Sequence, residues 1–141
     1  SGNKLRLRGS IPKLVLRDNS LVNAMTLPSG GRELRSPAWK GRLVENAVGA
    51  ALVTLAEQNG GELFYWRERD LEVDYIFKSG TKLLAIEVKS GQQDARPDGL
   101  AAFLAHNKNA AGLVIGATHK GSGCATISLE DFFLNPEQIL R

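Results

Sequence analysis

The sequence predicts an α/β domain in which a mixed β-sheet is flanked by helices. Three observations predict this class. A long segment with apolar residues at helical spacing begins near residue 37, three strand-like segments follow it directly, and a second helical segment then leads to a short, wholly apolar strand. The 141 residues suit one domain, which we divide into a lead-in segment, residues 1–36, and a main domain, residues 37–141.

The lead-in segment is predicted to contain only short elements. Within residues 1–12, Lys4, Arg6 and Arg8 alternate with Leu5 and Leu7, which fits either an edge strand or a flexible basic arm. Residues 13–16 predict a short strand, and Asp18 or Asn19 is suited to cap a short helix after it. Residues 26–36 contain proline, glycine and serine among polar residues, which indicates a loop.

The main domain opens with the strongest helix signal in the chain. Ser36 suits the N-cap, Pro37 suits the first helical position, and Asn59-Gly60-Gly61 ends the helix. Strands are predicted at residues 62–67, 72–78 and 82–89, the last two joined by a hairpin turn at Ser79-Gly80-Thr81.

The second half of the domain is predicted to continue the sheet. A helix is expected near residues 97–106, and residues 112–117 form an apolar strand of the kind that is covered on both faces. A further strand is predicted at residues 125–128, and a terminal helical segment starts at Ser128.

Charge, apolar content and cysteine content limit the partners and the cellular compartment that the sequence predicts. A net charge of +3 permits a nucleic-acid partner without requiring one. No apolar run approaches the ~20 residues that span a bilayer, so no membrane association is expected. The single cysteine, Cys124, fits a reducing, cytoplasmic setting. The oligomeric state stays open, a homo-oligomer included.

An acidic constellation is the main functional signal. On the strand at residues 82–89, side chains alternate, so that Glu87 and Lys89 share one face, and Asp74 on the preceding strand is expected near Glu87 across the hairpin. Two adjacent carboxylates repel each other unless a cation lies between them, and Mg²⁺ prefers such oxygen ligands. Glu45, on the first long helix, is a candidate third carboxylate. The structural alternative is a solvated Glu-x-Lys pair, which contributes little.

These residues resemble the PD-(D/E)XK nuclease superfamily, whose motif is an acid on the first helix, an aspartate on the second strand and E-x-K on the third. The match runs through Gly41-Arg42-Leu43-Val44-Glu45, Glu72-Val73-Asp74-Tyr75 and Ile86-Glu87-Val88-Lys89. The resemblance implies a restriction-endonuclease-like fold with an αβββαβ core. It also implies a Mg²⁺ or Mn²⁺ ion held by Asp74, Glu87 and the Val88 carbonyl, with Lys89 and Glu45 as further catalytic residues.

A closer resemblance is to the C-terminal domain of predicted bacterial and archaeal AAA+ ATPases. Lys13-Leu14-Val15-Leu16-Arg17-Asp18 and Tyr65-Trp66-Arg67 are similar to that family, and the likeness covers roughly residues 13–134. It implies that an ATPase domain precedes this segment in the full-length chain. It leaves two functions open: metal-dependent hydrolysis of DNA, or a non-catalytic module that binds DNA or protein and directs the ATPase.

Several further residues are candidates for contact with DNA or metal. Phosphate contacts supply sequence-independent affinity, and basic side chains near the acidic constellation suit them. These candidates are Arg67, Arg69, Lys40 and Arg42. A solvated strand end explains Arg67 and Arg69 slightly better than phosphate contact does, and Arg42 could equally pair with Glu45 or Glu33. Gln92 and Gln93 follow the E-x-K strand and are weak candidates for a place near the metal.

Overall fold

The computed structural model describes residues 13–25, 36–91, 98–116 and 124–141. Its elements, in chain order, are helix α1 (Asn19–Ala24), helix α2 (Pro37–Asn59), strands β1 (Glu62–Glu68), β2 (Leu71–Ser79) and β3 (Lys82–Val88), helix α3 (Asp98–His106), strands β4 (Ala110–Ile115) and β5 (Ala125–Ile127), helix α4 (Leu129–Leu134) and a 3-10 turn (Pro136–Leu140). The predicted α/β class and the order helix, three strands, helix, strand are confirmed.

Helix α2 begins and ends where its sequence signals predict. The Ser36 side-chain oxygen accepts a hydrogen bond of 3.1 Å from the Trp39 backbone N–H, and Pro37 occupies the first turn. Gly60 closes the helix with φ 63°, a left-handed conformation that glycine adopts without steric penalty. The helix therefore runs from the lead-in segment to the start of the sheet.

The five strands of the described residues form one mixed sheet in the order β1-β2-β3-β4-β5. β1, β2 and β3 pair antiparallel, and Ser79 pairs with Lys82 around the predicted hairpin turn. β4 pairs parallel with β3, and β5 pairs parallel with β4. Parallel pairing places the ends of β3 and β4 at the same edge of the sheet.

Helices cover both faces of this sheet, and each face has its own apolar cluster. The cluster under α2 and α4 comprises chiefly Val48, Leu52, Tyr75, Phe77, Ile86 and Phe132. The cluster under α3 comprises Val73, Ile76, Ala85, Leu100, Phe103 and Val114. A sheet buried on both faces explains why β4 is continuously apolar.

The strand predicted at residues 13–16 is wrong. This segment has no regular structure and packs against α2 instead of joining the sheet. The Asn46 side chain on α2 accepts a hydrogen bond of 2.8 Å from the Leu16 N–H and donates one of 2.7 Å to the Leu16 carbonyl. A helix side chain thus satisfies the backbone groups that a neighbouring strand would have paired.

Helix α1 is capped by Asp18, the first of the two predicted candidates. Its carboxylate accepts a hydrogen bond of 2.7 Å from the Ser20 N–H. Asn19 instead joins α1 to α2, because its side-chain oxygen accepts from Asn46 at 2.8 Å and its amide donates to the Leu43 carbonyl at 3.0 Å. Residues 13–24 are therefore fixed to the first half of α2.

Some predictions concern residues outside those described. They are the basic segment at residues 1–12, the loop at residues 26–35 and the first residue of the helix predicted to start at Pro97. Within the described ranges, no helix combines the length and apolar character needed to cross a membrane.

Candidate metal and phosphate site

A β-bulge in β2 sets the position of Asp74. Phe64 of β1 pairs with Ile76, but Trp66 pairs with Val73, so one residue of β1 faces Asp74 and Tyr75 together. As a result Val73 and Ile76 both lie on the α3 face of the sheet. An extra residue of this kind redirects its side chain away from the regular alternation, as bulges next to functional sites do.

The redirected Asp74 carboxylate lies between β2 and β3. The ladder between these strands reaches only Tyr75, which pairs with Ile86. Beyond it, Asp74 Oδ2 accepts a hydrogen bond of 2.8 Å from the Val88 N–H, taking the place of a backbone carbonyl. Asp74 is 7% exposed and is the buried charged residue of the described chain. A buried carboxylate needs such partners.

The alternation along β3 implies that Glu87 and Lys89 lie on the side of Ala85, which is the α3 side. Leu84, Ile86 and Val88 pack in the cluster under α2, whereas Ala85 packs under α3. Lys89 Nζ donates to Glu87 Oε1 at 2.7 Å, and both side chains are largely buried. The Glu-x-Lys pair is therefore not a solvated surface pair.

Burial raises the pKa of the Glu87 carboxyl above its ordinary value of 4.5, and the charge of Asp74 raises it further. The hydrogen bond and charge of Lys89 act in the opposite direction, and Glu72 adds a smaller repulsion. The Glu87 carboxylate on β3 and the Asp74 carboxylate on β2 therefore repel each other. That is the condition in which a bound cation stabilises the ionised forms.

This repulsion predicts a pH dependence of stability in the absence of metal. A folded-state pKa above the unfolded value means that the folded protein binds more protons, so the free energy of unfolding falls as pH rises from 4.5 through the folded pKa. Glu87→Gln cannot ionise and is expected to lose less stability over that range. Urea unfolding in EDTA at several pH values checks this; parallel curves for the two proteins would contradict it.

Glu45 approaches Asp74 from the α2 side, through a lysine of the lead-in segment. Lys13 Nζ forms a close ion pair with Glu45 Oε1 and lies 3.4 Å from Asp74 Oδ1 and 3.2 Å from the Asp74 carbonyl oxygen. The same ammonium lies 4.5 Å from the centroid of the Tyr75 ring. Lys13 therefore joins the two carboxylates that the sequence assigns to helix and strand.

Tyr75 fixes the distance between α2 and the bulge. Its hydroxyl donates a hydrogen bond of 2.8 Å to the Glu45 carbonyl oxygen. Burial, followed by the charges of Glu45 and Asp74, raises the pKa of this phenol, which keeps it a donor. Gly49 lies directly against the hydroxyl, and a Cβ at that position would overlap it.

A cleft of about 430 Å³ opens beside this group of charges. Leu16, Val22 and Trp39 contribute to its apolar wall, while Lys13, Arg42 and Glu45 supply charge. The cleft lies between the lead-in segment and α2, and Glu45 is the one carboxylate of the acidic group that lines it.

The residues present suit a divalent ion with two protein carboxylates. Among the described residues, no three acidic, histidine or cysteine side chains lie close enough together to hold a metal ion. Mg²⁺, however, is usually bound by one or two carboxylates together with waters. In a strand, the N–H and C=O of one residue project to the same side, so we expect the Val88 carbonyl on the Asp74 side as well. Asp74 is near enough to Glu87 for its charge to raise the Glu87 pKa, and it accepts a hydrogen bond from the Val88 N–H, so these three residues are the candidate oxygen donors.

The predicted basic contacts are spread around this site. Arg42 lines the cleft with Glu45, and Lys40, two residues earlier on α2, is exposed. Arg67 is exposed near the end of β1, opposite Glu72, and Arg69 has φ 54° in the turn between β1 and β2. Gln92 and Gln93 lie outside the described residues.

Sequence reasoning does not single out Lys13 as a site residue. It lies 61 residues from Asp74 along the chain, and it is the first residue of the predicted strand at residues 13–16, which the structure lacks. The one available signal is its place at the start of the lead-in motif. Its role follows only from the way in which Asn46 anchors residues 13–19 on α2.

A family model described as "Domain of unknown function (DUF4143)" matches residues 40–129. The matched region runs from the first turns of α2 to the start of α4 and includes Glu45, Asp74, Glu87 and Lys89, while Lys13 lies outside it. No curated protein and no solved structure matches the chain.

Proposed function

The chain belongs to the DUF4143 family, whose description assigns no activity, and from the site we propose that it is a metal-dependent nuclease-like domain that hydrolyses DNA phosphodiesters. The observation that carries the proposal is the placement of Asp74. Its buried carboxylate accepts a hydrogen bond from the Val88 backbone N–H, between Glu87 and Lys89, which supports a shared site for the D…E-x-K residues.

The charges at this point suit phosphodiester hydrolysis. Asp74, Glu87 and the Val88 carbonyl would hold Mg²⁺ or Mn²⁺, which when bound supplies a Lewis acid for a phosphoryl oxygen and lowers the pKa of a bound water. Lys89, held by Glu87 at 2.7 Å, is positioned to orient the attacking water and to stabilise negative charge on the phosphate. Glu45 would support the site from α2, either as a ligand through water or as the acceptor of the proton that the attacking water loses.

Binding to DNA would depend mainly on the phosphate backbone. Arg42 beside the cleft and the exposed Lys40, Arg67 and Arg69 are the basic groups proposed for these contacts. The likeness to the C-terminal domain of AAA+ ATPases supports a role as one module of such an ATPase, acting in the cytoplasm.

A second candidate function rests on Lys13. This ammonium already neutralises Glu45 and Asp74, and Lys89 neutralises Glu87. The same five groups could therefore serve as a fixed ionic network in a module that binds DNA or protein without cleaving it.

DNA cleavage separates the two functions. We expect the wild type to nick plasmid or branched DNA in Mg²⁺ but not in EDTA, and Lys89→Met to lose at least about 100-fold in rate, since a positioned general catalyst typically contributes 10²–10⁴-fold. Lys82→Met, at the exposed far end of β3, is the matched control and should cleave like the wild type. Absence of any Lys89-dependent product would favour the binding module.

A further inference from the structure

We propose that the Lys13 ammonium is the counter-ion of Glu45 and Asp74 in the metal-free protein, and that a divalent ion binds Asp74 only by displacing it. The inference deepens the proposed function and rests on it. It assigns to the lead-in segment, which contains none of the D…E-x-K residues, control over metal binding.

The contacts of Lys13 are those of a bound cation. A lysine ammonium has three N–H donors and no acceptor. Here it faces three oxygen atoms, Glu45 Oε1, Asp74 Oδ1 and the Asp74 carbonyl oxygen, and the face of the Tyr75 ring. The side chains of Lys13, Glu45 and Asp74 are 25%, 32% and 10% exposed, so the group is largely removed from water.

Lys13 and a metal ion would compete for the same carboxylate. Asp74 Oδ2 is engaged by the Val88 N–H, and Asp74 Oδ1 is the atom that faces Lys13. A divalent ion on that oxygen would lie beside the ammonium, and charges of the same sign repel strongly where burial lowers the dielectric constant. The Lys13 ammonium beside Asp74 therefore opposes the binding of a divalent ion, and a bound divalent ion would repel the ammonium.

Displacement requires the side chain to move and leaves the lead-in segment in place. Leu16 is anchored to Asn46 by two hydrogen bonds, and Asn19 by a third, none of which involves Lys13. Lysine carries its charge on a flexible four-carbon stem. Its head can turn toward the neighbouring cleft, which already includes Lys13 in its lining.

Calorimetric titration with Mn²⁺ tests the competition. Lys13→Met keeps the length of the side chain and removes its charge, so we expect its Kd for Mn²⁺ to be roughly tenfold lower than that of the wild type. Lys13→Arg keeps the charge and should bind Mn²⁺ as weakly as the wild type. Measurable binding by the methionine variant alone would also support the inference.

The other outcomes are distinct. Equal affinities in wild type and Lys13→Met overturn the inference and leave the proposed metal site standing. Weaker binding by Lys13→Met also overturns it, because Lys13 would then organise the site. Absence of binding in both proteins overturns the inference and the proposed metal-dependent function together.

A measurement on the wild type covers the case in which Lys13→Met does not fold. The ¹⁵N signal of the Lys13 ammonium, assigned by its loss in Lys13→Arg, should be protected from solvent exchange in EDTA. Excess Mg²⁺ should move it to the position of a free, exposed lysine. A signal that stays unchanged in excess Mg²⁺ would overturn the inference.

Discussion

Asp74→Asn is expected to remove divalent-metal binding while the protein remains folded. The asparagine side-chain oxygen can still accept the hydrogen bond from the Val88 N–H, so the local backbone keeps its partner. The negative charge that would bind the ion is lost. Because groups that only support metal ligands already contribute 10–100-fold to affinity, loss of a ligand should weaken Mn²⁺ binding by more than about 100-fold.

Asp70→Asn is the matched control for this experiment. Asp70 is exposed in the turn between β1 and β2, so its replacement should leave the Mn²⁺ affinity unchanged. Circular dichroism and thermal unfolding would confirm that both variants fold. Equal Mn²⁺ affinity in Asp74→Asn and the wild type would exclude Asp74 as a ligand.

Phe103→Ala is expected to produce the largest loss of stability. Phe103 is 1% exposed under α3, and its ring lies edge-on to Trp66 with centroids 5.6 Å apart. Removal of a buried phenylalanine leaves a cavity and typically lowers the free energy of unfolding by about 3–5 kcal/mol. Since α3 covers the face from which Glu87 projects, metal binding should weaken in parallel as the protein unfolds.

Phe133→Ala provides the comparison at an exposed phenylalanine. Phe133 is 46% exposed and makes an edge-on contact with Phe132. An aromatic pair contributes about 0.5–1.5 kcal/mol, so a loss below about 1.5 kcal/mol is expected. Urea unfolding measures both variants. A smaller loss of stability for Phe103→Ala than for Phe133→Ala would contradict the role of Phe103 in the apolar cluster under α3.

The elements with strong local signals are the ones that the sequence predicts correctly. Ser36 and Gly60 place the ends of α2 because capping depends on neighbouring residues alone. The alternation along β3 places Glu87 and Lys89 on the α3 face because strand geometry has a period of two. Local rules thus position two of the four proposed catalytic residues.

The features that depend on distant residues are not predicted. The short strand at residues 13–16 fails because the Asn46 side chain pairs with the backbone of Leu16. The bulge that redirects Asp74 arises from the register of β1 against β2. The contact of Lys13 with Asp74 requires both of these features. Its position in the site is therefore a property of the tertiary structure.

Anomalous diffraction from crystals soaked in Mn²⁺ tests most directly whether Asp74, Glu87 and Val88 together bind a divalent metal ion, as we propose. We expect an anomalous peak within coordination distance of the Asp74 carboxylate, the Glu87 carboxylate and the Val88 carbonyl oxygen, with Lys13 Nζ moved away from Asp74. Crystals in which Mn²⁺ binds elsewhere, while Lys13 keeps its contacts with Glu45 and Asp74, would contradict the claim.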